Sequence, residues 1–307
     1  MPRATGQPTE GTEPLTVVIA QAVRVLAAAG LPSPGVDAEL LAAHVLGVPR
    51  GRLRLVGTVD ADRAARLADL VAARAAGAPV QHLTGVAGFR HLELAVGPGV
   101  FVPRPETELL AGWGLAAVRG SPAPVVVDLC AGSGAIALAV AQEAPGARVY
   151  AVERDPAALA WLRRNAAARA AHGDTPVTVV AGDATDPATA AALPPVVDLV
   201  LSNPPYVPAG AAVPVDVRRD PGTAVFAGAD GLDVLRPLAP LAAALLRPGG
   251  GYGVEHDDAQ GPAVAALLAA AGFVDVATHA DLAGRPRFTT GRRADGPGPA
   301  TRGTVVR

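Results

Sequence analysis

Asn203-Pro204-Pro205-Tyr206 carries the most specific chemistry in the chain. The two prolines lack N–H donors and have fixed φ angles, so the backbone there offers carbonyl acceptors beside the Asn203 amide. The product is a rigid, acceptor-rich notch. A planar NH2 group entering it donates one hydrogen to the Asn203 side-chain oxygen and the other to the Pro204 carbonyl, while Tyr206 lies against its flat face. Asn203, Pro204 and Tyr206 are therefore the candidate catalytic residues, and Asn203, Pro204, Pro205 and Tyr206 the candidate grip on a substrate nitrogen. A plain proline turn is the competing reading of the tetrapeptide taken alone. The apolar run Val196-Val197-Asp198-Leu199-Val200-Leu201 ahead of it reads as a buried strand. That puts the notch at a strand's carboxyl end, where open α/β sheets bind ligands.

A second cluster follows the run Val125-Val126-Val127-Asp128-Leu129, in Cys130-Ala131-Gly132-Ser133-Gly134, and a helical stretch comes next. Glycines there let the backbone turn sharply and let a ligand approach. The following strand ends at Glu153, 19 residues after Gly134, where a carboxylate can accept the ribose hydroxyls of an adenosine. Asp183, in Ala181-Gly182-Asp183-Ala184 after the third strand, is expected near the adenine. Gly132, Gly134 and Ala137 also satisfy the relaxed dinucleotide fingerprint, so a nicotinamide-dependent oxidoreductase is one reading. S-adenosylmethionine is the one that accounts for Asp128, the glycine loop, Glu153 and Asp183 together. Asp128, at the strand end, suits an ammonium or a water network better than a pyrophosphate.

These residues need a frame. Apolar runs at Val125 to Leu129, Arg148 to Val152, Val177 to Val180, Val196 to Leu201 and Gly251 to Val254 alternate with helical stretches, which predicts a doubly wound, mostly parallel α/β sheet. Ahead of it, helical patterns begin at Leu15, at Asp37 and after an N-cap at Asp60, ended by Gly30 with Pro32, Gly47 with Pro49, and Gly77 with Pro79. The expected organisation is a flexible tail over 1–14, a small helical domain over 15–79 and a β-hairpin connector over 80–104. The cofactor-binding domain then spans 105–292 and a second flexible tail 293–307.

The chain has 307 residues, half of them hydrophobic, and all its Lys-plus-Arg charge is arginine. A net charge of -2 gives no global attraction to phosphate backbones, so no stable nucleic-acid complex is expected. No apolar stretch reaches the roughly 18 uninterrupted residues of a membrane span, and Met1 to Gly6 show no signal-peptide pattern, so a cytoplasmic protein is expected. The one cysteine, Cys130, rules out an internal disulfide and a Cys-based zinc site. His44 and His82 read as packed or capping residues, so no metal is expected.

Several separate segments resemble class I S-adenosylmethionine-dependent methyltransferases, and among them the release factor glutamine methyltransferase family, PrmC/HemK, over roughly residues 15 to 292. They are Asp37-Ala38-Glu39-Leu40-Leu41, His44-Val45-Leu46-Gly47, Pro79 to Gly85, Phe101-Val102-Pro103-Arg104-Pro105-Glu106-Thr107-Glu108, the glycine loop, Asn203 to Tyr206, and Gly228-Ala229-Asp230-Gly231-Leu232. Asn-Pro-Pro-Tyr by itself is shared with nucleic-acid amino-group methyltransferases, the competing activity. The resemblance implies N-methylation of the glutamine in the Gly-Gly-Gln loop of class I peptide chain release factors; a monomer is expected. The resemblance also implies that Asp128, Cys130, Ala131, Gly132, Ser133, Gly134, Glu153, Asp183, Ala184 and Asn203 contact the cofactor. Arg104 and Glu106 would line the substrate side. Cys130 stands where many members have glycine, a replacement suited to ordinary backbone dihedrals. Ala184 stands where some relatives place an aromatic residue.

Overall fold

The computed structural model describes residues 12–213 and 217–296. These fall into two compact units, one from Thr12 to Val86 with Val217–Arg219, the other from Ala87 to Val213 and from Asp220 to Gly296.

In the first unit, strand β1 (Thr12–Pro14) pairs antiparallel with β2 (Thr58–Asp60). Around them pack helices α1 (Leu15–Ala28), α2 (Pro34–Leu46) and α3 (Ala61–Ala75) and the short α4 (Val80–Thr84). The helical spacing of apolar residues is what closes this core: Leu15, Val18, Ala22 and Leu26 of α1 meet Leu41 and Val45 of α2 and Leu67 and Val71 of α3. Helix α3 starts as its cap requires, with the Asp60 carboxylate accepting from the Arg63 amide at 2.8 Å. Inside the unit Arg74 Nε donates to Asp37 Oδ2 at 2.7 Å, and both side chains are at least nine-tenths buried.

Two expectations change here. Thr12–Pro14 belong to a sheet and not to a tail, because their backbone groups are paired with Thr58–Asp60 and the Leu15 amide with the Gly57 carbonyl. The rest of the expected first tail, residues 1–11, lies outside the described residues. Val80–Thr84 form a helical turn whose Val80 packs into the first core, so the hairpin connector begins later than residue 80.

The second unit opens with that hairpin, β3 (Val86–Phe89) and β4 (Leu92–Ala95). Then come α5 (Thr107–Ala117), β5 (Val125–Leu129), α6 (Ala135–Glu143), β6 (Arg148–Glu153), α7 (Pro156–Ala171), β7 (Thr178–Ala181), α8 (Pro187–Ala191) and β8 (Val197–Ser202). The chain continues through α9 (Gly222–Val225), α10 (Leu235–Leu245), β9 (Leu246–Glu255), α11 (Gly261–Ala270), β10 (Phe273–Ala280) and β11 (Pro286–Arg293). Seven strands form one sheet in the order β10-β11-β9-β8-β5-β6-β7. Strands β5 to β9 run parallel, and β11 is antiparallel to both β9 and β10. Arg293 therefore ends a strand instead of opening a tail, and residues 297–307 of that expected tail lie outside the described residues.

Alternation along the strands splits the core in two. Val126, Leu199 and Leu201 join α5, α6 and α7 on one face, while Val125, Val127, Leu129 and Val200 join α10 and α11 on the other. Each fully buried Leu or Val contributes on the order of 1.5–3 kcal/mol. The sheet is thereby held as a rigid slab, with the loops that leave the carboxyl ends of its parallel strands at one edge.

Candidate active site

The chain leaves β5 toward one side of the sheet and returns at β8 to build the other, so the topological switch point lies between these two strands. Leu129 and Ser202 are register partners there, and Ser202 Oγ donates to the Leu129 carbonyl at 2.8 Å. Cys130 and Asn203, the next residue of each strand, consequently leave the sheet side by side. The glycine loop and the Asn-Pro-Pro-Tyr notch share one edge.

In the notch Pro204 and Pro205 are buried while Asn203 and Tyr206 are half-buried. Asn203 Nδ2 donates to Thr107 Oγ1 at 3.1 Å, and the Thr107 hydroxyl donates to Glu255 Oε2 at 2.7 Å. The other oxygen of the same carboxylate accepts from the Tyr206 hydroxyl at 3.1 Å. Gln260 Nε2 donates to the carbonyls of Tyr206 and Asp230, both at 2.9 Å, so Tyr206 is anchored at its ring and at its backbone. Gly231, at φ 76, lets the Asp230 loop press on the Tyr206 carbonyl where a Cβ would collide. Burial pushes the Glu255 carboxyl up to about 7, against the hydrogen bonds from Thr107 and Tyr206 and the charge of Arg287, with Glu106 adding to the rise. Burial, then the Glu255 charge, likewise raises the Tyr206 hydroxyl.

On the side expected to hold the cofactor, Gly132 adopts φ 57, and a Cβ added to it would meet no atom within 4 Å. The loop thus bends around open space. Its Gly132 amide donates to Glu153 Oε2 at 2.8 Å, while Glu153 Oε1 accepts from the amides of Arg154 and Asp155. With two lone pairs per oxygen, the carboxylate keeps capacity on Oε2 for one hydroxyl. Asp183 Oδ1 accepts from the amide and hydroxyl of Thr185, and Oδ2 from Arg154 at 2.8 Å. Burial raises the Asp183 carboxyl, and these hydrogen bonds outweigh it and leave it below its usual range. An open bend, a carboxylate with a spare lone pair and a second acid beside it fit the adenosyl part of S-adenosylmethionine.

Asp128 sits deeper than expected. Its Oδ2 accepts from the Ala137 amide in the first turn of α6 at 3.0 Å, and its buried Oδ1 has no hydrogen-bond partner. Burial, opposed by that amide and reinforced by Glu153, raises it to about 8. Ala131 and Ser133 are buried, and the Ser133 carbonyl accepts from Asn165 Nδ2 at 3.0 Å, which also bonds β4 at Ala95. Ala184 is buried in the apolar cluster and offers no ring for stacking. Cys130 departs from the expected ordinary dihedrals, with φ 63, because the strand must turn sharply into the loop. Burial also pushes its thiol up to about 12.

Arg104 is engaged by Asp220, Nη2 to Oδ2 at 2.6 Å, and lies over the Phe101 ring. Glu106 precedes α5 and stands 3.8 Å from Arg285 Nη2. The roles of Thr107 beyond helix entry, and of Glu255, Gln260 and Gly231 behind the notch, went unassigned in the sequence. Thr107 and Gly231 lie in segments that carry the resemblance and Glu255 is an acid at a strand's carboxyl end, whereas Gln260 left no signal.

A mostly parallel sheet with a glycine loop and an amide notch at its switch point defines the methyltransferase class of α/β domains. The hMettl16 catalytic domain shares this fold, with a TM-score of 0.52 at 14% identity over 75% of this chain and 83% of that one. A family model described as the PrmC N-terminal domain matches residues 18–85, and one described as the methyltransferase small domain matches residues 114–219. Release factor glutamine methyltransferase of Mycolicibacterium smegmatis is 51% identical over 91% of this chain and 98% of the relative. That of Streptomyces coelicolor is 50% identical over the same shares of the two chains. The chain belongs to the release factor glutamine methyltransferase family.

Proposed function

We propose that the chain transfers a methyl group from S-adenosylmethionine to the side-chain amide nitrogen of the glutamine in the Gly-Gly-Gln motif of class I peptide chain release factors. The observation that carries this is the pairing of Leu129 with Ser202, which sets the cofactor loop and the Asn203 notch next to each other. When bound, S-adenosylmethionine supplies a methyl group activated by its sulfonium.

The residues supply position. An amide nitrogen is a poor nucleophile because its lone pair is delocalised into the carbonyl. Acceptors at Asn203 Oδ1 and the Pro204 carbonyl would take both N–H hydrogens, raise electron density on nitrogen and point it toward the cofactor. Asn203 is no base, so its work is orientation and support of positive charge, and the proton leaves to water. Glu153 and Asp183 would hold the ribose and adenine, and Cys130 to Gly134 the rest of the cofactor. Arg104 and Glu106 would act at the substrate rim.

A release-factor substrate supports a cytoplasmic site of action, and a monomer suffices for it because the glycine loop and the notch both come from one chain. A nucleobase amino group presents the same planar NH2, but a net charge of -2 gives it no electrostatic help. Mass spectrometry of a release factor's Gly-Gly-Gln peptide, after incubation with the protein and S-adenosylmethionine, should find one added methyl on glutamine. An unmodified peptide alongside labelled DNA or ribosomal RNA would overturn the proposal. Asn203→Ala should lower kcat by about 100-fold or more with S-adenosylmethionine affinity retained, as read by single-turnover kinetics and calorimetry.

A further inference from the structure

We propose that Glu255, acting through Thr107, is a positioning residue that decides which end of the Asn203 side-chain amide faces the substrate. This deepens the methyl-transfer reading and rests on it. An asparagine amide has two ends of nearly equal shape and opposite polarity, a carbonyl that accepts and an NH2 that donates. A substrate NH2 is gripped only if the carbonyl end faces it.

Three groups in series fix that choice. The ionised Glu255 carboxylate can only accept, so it takes the single hydrogen of the Thr107 hydroxyl at 2.7 Å. Thr107 Oγ1 is left with lone pairs alone, and it is the NH2 end of Asn203 that turns to it, at 3.1 Å. Oδ1 is thereby freed for the substrate. Through its second oxygen the same carboxylate holds the Tyr206 hydroxyl, so one buried acid orients both functional ends of the notch.

A proton on Glu255 reverses the series. The acid then donates to Thr107, the Thr107 hydrogen turns to Asn203 Oδ1, and the amide presents NH2 to NH2. The groups around the carboxyl are Thr107 on α5, Glu106 just ahead of it, Tyr206 after β8, Arg287 on β11 and the neighbouring His256. Arg287 favours the ionised form, while burial and Glu106 favour the protonated one and bring the carboxyl up to about 7. Transfer therefore gains as pH rises through that value.

The test compares the wild type with Glu255→Gln, the near-isosteric Thr107→Val and the hydroxyl-retaining Thr107→Ser. Glu255→Gln and Thr107→Val should lose roughly 10- to 100-fold in kcat with the S-adenosylmethionine dissociation constant unchanged, while Thr107→Ser stays within about threefold of wild type. The wild-type acidic limb near pH 7 should vanish in Glu255→Gln. In 15N-labelled protein without substrate or cofactor, exchange of the Asn203 side-chain NH2 should be slow in wild type and Thr107→Ser and fast in Thr107→Val. Wild-type rates and slow exchange in both damaging variants overturn the relay. If wild type fails to methylate the peptide while the exchange pattern holds, the relay stands and the glutamine reading falls. Should a variant fail to fold, protection of the Asn203 NH2 in the wild type, taken relative to a free asparagine amide at each pH to remove the base catalysis of exchange itself, decides alone: protection that stays constant through pH 7 overturns the relay.

Discussion

Two glycines in one loop separate ligand binding from folding. Gly132 and Gly134 both have left-handed φ, but a Cβ on Gly132 points into open space, whereas on Gly134 it would sit 2.6 Å from Leu162 Cδ1 and 3.1 Å from Leu138 Cδ1. Leu162 and Leu138 are fully buried and cannot retreat. Gly132→Ala should therefore lower stability by only about 1–2 kcal/mol but raise the S-adenosylmethionine dissociation constant roughly tenfold or more. Gly134→Ala adds overpacking to the left-handed strain, about 2–5 kcal/mol together. Thermal melts and calorimetric titration of the two variants check the contrast; equal losses of stability would refute it. At this scale the residues proposed to face a ligand, Asn203, Glu153 and the loop glycines, stand out in the sequence because chemistry restricts their type, and the structure brings their strands together at β5 and β8. The roles of Thr107, Gln260 and Asp220 do not stand out, since they depend on partners 148, 54 and 116 positions away in the chain.

The parallel strands were legible because burial on both faces demands continuous apolar runs, and Val125 to Leu129 is buried throughout. The antiparallel pair was not. Strand β11 reads Pro-Arg-Phe-Thr-Thr-Gly-Arg-Arg and β10 mixes Asp, Thr and His with Phe, Val and Ala, so neither shows a clear period. Their order comes from pairing with β9 and with each other. Helix α4 was hidden by the Pro79 and Gly85 that flank it, which read equally as turn residues. The β5-to-α6 turn has a pH signature of its own. Asp128 there moves from an ordinary 3.8 to about 8 on folding, chiefly through burial. A raised folded value means that its contribution is full below the lower figure and is lost as pH climbs to the higher one. Stability should fall across that interval with a slope of up to about 1.4 kcal/mol per pH unit from this group, and Glu255 acts in the same sense. In Asp128→Asn the decline should flatten, as urea unfolding at several pH values will show; an unchanged slope would remove Asp128 as its source.

At the scale of the molecule, the described residues form two units with separate apolar cores, and the first is small. It contains a buried ion pair, Arg74 with Asp37, so breaking it strands a charge in a low-dielectric interior. Asp37→Asn should cost that unit about 3–5 kcal/mol and give an early transition in differential scanning calorimetry, with the transition of the sheet-bearing unit unmoved. The pairing of Leu129 with Ser202 has a consequence for heat. Parallel neighbours stand about 4.8 Å apart, a spacing set by backbone hydrogen bonds and not by the loops that carry the reacting groups. Warming that loosens loops leaves this separation intact, so the turnover rate should keep climbing until the sheet itself melts, with no folded but inactive form below that temperature. Activity and near-ultraviolet circular dichroism followed along one temperature ramp should disappear together, the enzyme failing all at once instead of fading.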